Sequence, residues 1–189
     1  MRIADIKTYV VANPPPYHGG AYWVFLKLTT DDKIEGFGEA YGVPFHPNTV
    51  ARMIEDVAER HVIGRDPFKI ETLWRIIYSS GYSQHPDLSL VGVLSGIEMA
   101  CWDIAGKIAN LPVYDMLGGQ FHKKLRAYAY MPSGWQENPE RAGEIAEQLL
   151  AEGNSACKLD PFTPLHPGPR DISLSEIKNG ECVVISISR

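Results

Sequence analysis

The sequence predicts an α+β unit, a three-stranded antiparallel meander plus helices, followed by the first β/α units of a second, parallel structure. Three observations carry this. Residues 2–39 read as strands interrupted twice by turn-type segments; from Pro47 to about Gly119 apolar residues recur at helical spacing; from Leu125 the order returns to strand, helix, strand.

From Arg2 to Val11 apolar and polar residues alternate, NPPPYHGG breaks the run, and AYWVFLKLTT resumes it with β-branched and aromatic residues. Two strands joined by a loop follow. Thr30-Asp31-Asp32-Lys33 has tight-turn composition, after which IEGFGEAYG makes a third strand whose glycines let another backbone approach closely. Trp23, Phe25 and Phe37 are expected on the buried face of these strands.

Asn48 or Thr49 is expected to cap a helix over TVARMIEDVAERHVIG. Asp66-Pro67 starts another, with Ile70, Leu73, Trp74 and Ile77 on one face. A long third helix begins near Ser89; Gly92, Ser95, Gly96, Ala100, Ala105 and Gly106 suit close packing on several sides, and Asn110-Leu111-Pro112 ends it. PVYDMLGG is a short helix stopped by Gly118-Gly119.

LRAYAYMP then reads as a strand, NPERAGEIAEQLLAEG as a capped amphipathic helix ending at Gly153, and SACKLDP as a strand. This is the β-α-β order of a parallel sheet or barrel. Side chains alternate faces along a strand, so Lys158 and Asp160 point one way and Leu159 the other. Beyond lie a proline-rich loop, TPLHPGPRD, a helix start, ISLSEIKNGE, and a β-like end, CVVISISR.

At 189 residues, with 44% hydrophobic and 10% aromatic side chains, the chain is an ordinary globular one with a core. Lys+Arg number 18 against 23 Asp+Glu, a formal net charge of -5 with no basic run, which argues against nucleic acid or an anionic membrane as partner. Cys101, Cys157 and Cys182 are odd in number and far apart, which suits a reducing compartment and indicates neither a disulfide framework nor a zinc site. MRIADIKTYVV carries charges within its apolar run and lacks a signal-peptide core; no stretch reaches the roughly 18 apolar residues of a membrane span. A cytoplasmic protein is expected. His61, His85 and His122 have no partner at metal-ligand spacing.

GFGEA (Gly36 to Ala40), IEMACWDIAGK (Ile97 to Lys107) leading into LPVYDMLGG (Leu111 to Gly119), and LRAYAY carry a resemblance. Over roughly residues 1–165 the chain resembles the mandelate racemase and muconate lactonizing branch of the enolase superfamily, most closely the sugar-acid dehydratases of gluconate and galactonate type. The resemblance implies an α+β capping domain, residues 1–124, followed by the first β/α units of a truncated TIM-like barrel, residues 125–189, with the site between such domains. It places Lys158-Leu159-Asp160 at the end of the second barrel strand, where the family carries Lys-x-Lys or a related pair; the second lysine is here Asp160. Lys158 and Asp160 become the catalytic candidates. Tyr17 and His18 fall in the loop that in the family closes over substrate, which makes them substrate-binding candidates, while the residues alone fit an exposed loop histidine equally well; Phe45 and His46, after the third strand, have a similar status. Glu39 is expected to be a structural hydrogen-bonding group, Trp102 core packing, and Asp103 a buried or capping interaction between the domains.

Family members remove a proton alpha to a carboxylate, with magnesium stabilising the enediolate and a lysine or histidine as base. A lysine serves as base when burial and nearby positive charge lower its pKa, whereas a neighbouring Asp160 favours the ammonium. Lys158 is therefore either a base or a cation holding the substrate carboxylate, with Asp160 orienting it; from the residues alone the pair also fits a solvated strand end. A dehydratase further needs a general acid for the departing hydroxyl, and no residue here is assigned to it. Magnesium is implied, but the family's ligands lie on the third, fourth and fifth barrel strands, so no metal ligand is assigned. Leu125 to Arg189 make about two β-α units, where a TIM barrel takes about 250 residues. The ending reads as truncated or frame-shifted, and no dehydratase activity is expected from the chain as it stands. A small sugar acid as substrate and a homo-oligomer are expected; the alternatives are a racemase or cycloisomerase of the same superfamily, or a non-catalytic capping or oligomerisation module.

Overall fold

The computed structural model describes residues 1–15, 20–41, 45–80, 87–132 and 138–159. They fall in two units, Met1–Phe121 and His122–Arg189.

In the first unit β1 (Ile3–Ala12) pairs antiparallel with β2 (Tyr22–Thr30), and β2 with β3 (Glu35–Glu39), in the order β1-β2-β3. The β2–β3 connection closes at Lys33, whose φ of 66° puts a non-glycine residue in the left-handed region, with Lys33 N–H donating to Thr30 C=O at 3.0 Å. Along β2 the alternation is strict: Val24, Leu26, Leu28 and Thr30 are buried, and the residues between them are not. Buried Thr30 is satisfied because its hydroxyl oxygen accepts from Ile34 N–H at 3.0 Å.

The aromatics lie on the other face, contrary to the expectation for them. Trp23 and Phe25 stack with ring centroids 6.4 Å apart and remain half-buried, and Phe37 is 50% exposed. The reason lies in β3. A Cβ on Gly36 would lie 2.6 Å from Ile104 Cγ1, and one on Gly38 would run into the carbonyl oxygen of Gly96. Only the glycine face of β3 lets a helix backbone settle on the sheet, and on β2 that face is the aliphatic one.

The helix concerned is α3, but α1 (Pro47–His61) and α2 (Ile70–Ser79) precede it. α1 is capped by His46 rather than by Asn48 or Thr49: His46 Nδ1 accepts from Asn48 N–H at 3.3 Å, with Pro47 opening the helix. Val50, Ala51, Ile54, Val57 and Ala58 form its buried stripe. α2 starts later than Asp66-Pro67, because Asp66 Oδ1 instead accepts from Phe68 N–H at 2.9 Å and holds a turn there. Leu73 and Ile77 are buried, with Ile70 and Trp74 packed against the same core, which is the predicted face.

α3 (Leu88–Ala109) starts where Asp87 accepts from Ser89 and Leu90 N–H, and stops at Asn110, left-handed with φ 53°. By length and composition it is long and apolar enough to cross a membrane, which corrects the expectation that no stretch is apolar enough. Its apolarity has another use here: Val93, Leu94, Ile97, Ala100, Cys101 and Ile104 are buried among β2, β3, α1 and α2. Asp103, expected to act between domains, works inside this unit. Its Oδ2 accepts from Phe37 N–H at 2.8 Å and from Lys107 Nζ at 2.8 Å, while Lys107 Nζ also donates to Glu35 C=O at 2.7 Å. Two side chains one helical turn apart thus occupy an acceptor and a donor role along the outer edge of β3. A single turn, α4 (Val113–Met116), ends at Gly118 and Gly119, with φ 115° and 92°.

In the second unit β4 (Ala129–Tyr130), α5 (Pro139–Ala151) and β5 (Cys157–Lys158) form the predicted β-α-β order, with the strands parallel. Asn138 caps α5 by accepting from Glu140 N–H at 3.0 Å, and Gly153, at φ 94°, follows the helix end. The strands are shorter than LRAYAYMP and SACKLDP suggest, since each pairs over two residues. Met131 and Ala142 are buried here, with Ile145, Ala146, Cys157 and Leu159 packed around them.

Candidate functional site

Residue alternation on two short strands positions Lys158. Ala129 pairs with Cys157 and Tyr130 with Lys158, and Cys157 and Leu159 turn toward α5. Lys158 therefore stands on the face away from the helix, as the period predicts for it and its neighbour Leu159. Tyr130 shares that face by register, and Tyr128 lies just ahead of β4. Lys158 Nζ lies 5.5 Å from the Tyr130 ring centroid and 5.9 Å from that of Tyr128. An ammonium over a ring face is attracted by the ring quadrupole, worth about 0.5–1 kcal/mol at an exposed site. No carboxylate among the described residues pairs with Lys158, whereas Lys27 is matched by Glu35 and Lys107 by Asp103. Asp160 lies outside the described residues, so its relation to Lys158 is not part of this geometry.

On the helix side of the same strands runs an apolar groove of about 610 Å³, lined by Met131, Ala142, Ala146, Leu150, Cys157 and Leu159. It offers mainly packing surface, with Glu147, Asn154, Ser155 and the Cys157 thiol as its polar groups.

In the first unit the cap role of His46 fixes its chemistry. With Nδ1 accepting a hydrogen bond, the ring nitrogen left to donate is Nε2. Its ring is 6.5 Å from that of Tyr22, at 42°. Beside it lies a cavity of about 230 Å³ whose lining includes Tyr22, Trp23, Glu39, Tyr41, Phe45 and Pro47. The expectation of a structural hydrogen-bonding role for Glu39 is not met: its carboxylate makes no hydrogen bond or ion pair among the described residues, and the residue is part of this cavity's lining. Tyr17 and His18 lie outside the described residues.

The remaining candidates separate by environment. Cys101 is fully buried, and burial, then the Glu98 charge, pushes its thiol up to about 12, so it is no nucleophile. His61 Nε2 is buried without a partner; burial first, then the charges of Arg60 and Arg65, hold its pKa below the usual histidine value. Among the described residues no group of three or more His, Cys, Asp or Glu side chains converges as a metal site would require. Sequence reasoning missed Tyr128, Tyr130 and Glu39 as site-lining residues. The signal for the tyrosines was present, as their i,i+2 spacing in LRAYAY.

The model of the mandelate racemase / muconate lactonizing enzyme N-terminal domain matches residues 8–118. A solved structure from Labrenzia alexandrii, named as a mandelate racemase/muconate lactonizing enzyme, is 45% identical over 96% of this chain, with TM-score 0.83. One from Burkholderia SAR-1 is 45% identical over 95%, with TM-score 0.82. A protein from Mesorhizobium loti, provisionally named a dehydratase, is 32% identical over 95%, with TM-score 0.77. The chain spans only 47%, 46% and 47% of these three proteins' own lengths.

Proposed function

Because the chain belongs to the mandelate racemase/muconate lactonizing enzyme family of the enolase superfamily, we propose that it is the loop-bearing domain and barrel start of a sugar-acid dehydratase. The observation that carries this reading is Lys158: an ammonium with no carboxylate partner among the described residues, set on the face of a β-α-β unit away from its helix. Such a cation receives an anionic group, and a sugar acid supplies one in its carboxylate. The dehydratase name of the relative from Mesorhizobium loti supports elimination as the outcome.

In that reaction a base takes the proton alpha to the carboxylate and a general acid protonates the β-hydroxyl, neither role being assigned to a described residue. The electron pair left behind forms a carbon–carbon double bond as the β-hydroxyl departs, protonated, as water, and the resulting enol becomes a 2-keto-3-deoxy acid. Two ring faces attract the charged ammonium, so the role given to Lys158 is the cation that receives the carboxylate. Tyr17, His18 and His46 are proposed to meet the substrate's hydroxyls, His46 through Nε2. Magnesium, which the family generally uses, has no matching group of ligands among the described residues.

The test joins residues 1–159 to the remaining barrel of the Labrenzia alexandrii relative and assays gluconate and galactonate, with magnesium, for a 2-keto-3-deoxy product. Turnover of an acid, abolished in Lys158→Met, is expected. Exchange of the alpha proton with solvent deuterium but no loss of water would make it a racemase instead. A folded chimera inert toward every acid overturns the reading.

A further inference from the structure

We propose that Tyr128 and Tyr130 are positioning residues for Lys158, holding its ammonium between two rings on the free face of the β4–β5 pair. Three observations converge on this. The tyrosines are at i,i+2 with Tyr128 just ahead of β4, Tyr130 is in register with Lys158, and Nζ is 5.5 Å from the Tyr130 centroid and 5.9 Å from that of Tyr128. The other lysine-to-ring contacts differ in kind: Lys7 lies over one ring, Tyr9, and Lys107 over one ring, Phe37, while hydrogen-bonded to Asp103. Lys158 alone among the described lysines has two rings.

A lysine side chain has many rotamers, and an exposed one samples most of them. Two ring faces within reach of the ammonium favour those that keep Nζ near the strand rather than extended into solvent. The tyrosines are 58% and 56% exposed, so their hydroxyl edges remain open to whatever Lys158 receives. That this is a substrate carboxylate rests on the reading of function given above; the positioning does not.

The experiment reads ring currents in the 189-residue chain, with no substrate present, and so stands or falls separately from the sugar-acid reading. In a 1H–13C spectrum, Lys158→Met identifies the Lys158 methylene signals. These are expected upfield of the other lysines, to stay there in Tyr130→Phe, and to move back toward them in Tyr130→Leu and Tyr128→Leu. Signals at the same position in the wild type and both leucine variants would overturn the proposal. The Met131 methyl signal reports whether the unit keeps its fold; if Tyr130→Leu disturbs it, Tyr128→Leu, ahead of the paired strand, decides the matter.

Discussion

Phe37 donates its backbone N–H to the Asp103 carboxylate at 2.8 Å, a bond that runs from the outer edge of a sheet to a helix rather than to another strand. The same oxygen accepts from Lys107, whose ammonium reaches Glu35 C=O. Replacing Asp103 with Ala removes an ionised acceptor from both groups and is expected to destabilise the first unit by about 2 kcal/mol. Asp103→Asn keeps an acceptor and should cost less. Urea midpoints order the two variants, and an unchanged midpoint in Asp103→Ala would show that water replaces the carboxylate at no cost.

Gly38→Ala is expected to be far worse, because the added Cβ meets the carbonyl oxygen of Gly96 and neither backbone has room to yield. A loss of about 3 kcal/mol, the upper end of the usual overpacking cost, is anticipated. Gly143→Ala supplies the contrast: this glycine lies inside α5, its Cβ would meet nothing within 4 Å, and helix propensity favours Ala by up to about 1 kcal/mol. Thermal unfolding of both variants checks the opposite signs.

His61 makes stability depend on pH in a predictable direction. Its folded pKa lies below the unfolded value, near 6.5, because burial and two arginines disfavour the imidazolium. Below that unfolded value the unfolded chain binds more protons than the folded one. The contribution is therefore complete above about pH 7 and is lost as the pH falls through roughly 6.5 toward the lower folded value. Urea midpoints from pH 7.5 to 5.5 should fall less steeply in His61→Leu than in the wild type; parallel curves would remove His61 as the cause.

Of the two described cysteines, Cys157 should react with a thiol reagent in the native chain at pH 8, and Cys101 should not. Burial has pushed the Cys101 thiol to about 12, leaving almost no thiolate and no access. Mass spectrometry of the labelled peptides distinguishes them, and labelling of Cys101 at the rate of Cys157 would contradict its burial.

Local chemistry was the most legible part of the sequence. The end of α3 at Asn110 and the capped start of α5 at Asn138 follow from side chains next to them, whereas the cap of α3 is Asp87, two residues before the expected start near Ser89. The close approach announced by Gly36 and Gly38 is present, but its partner, Gly96, lies far along the chain and only packing identifies it. Period 2 separates Trp23 and Phe25 from Val24 and Leu26 without saying which pair faces the helices, since both are apolar. His46 was missed as a cap because imidazole seldom takes that role, which Asn48 and Thr49 suit better by type. At the candidate site the face of Lys158 could be read from alternation, whereas its neighbours depend on strand register, which brings Tyr130 beside it from 28 residues earlier.

The glycine contact between β3 and α3 also has a mechanical side. Side chains between two elements act as a compliant layer, since rotamers can exchange to absorb a small shift. Between Gly38 and Gly96 no such layer exists, and carbonyl meets backbone directly. Sheet and helix therefore meet backbone to backbone, with the Glu39 carbonyl beside Gly96 and the Tyr41 carbonyl beside Gly92. No rotamer change stands ready there to take up a shift of the strand end against α3.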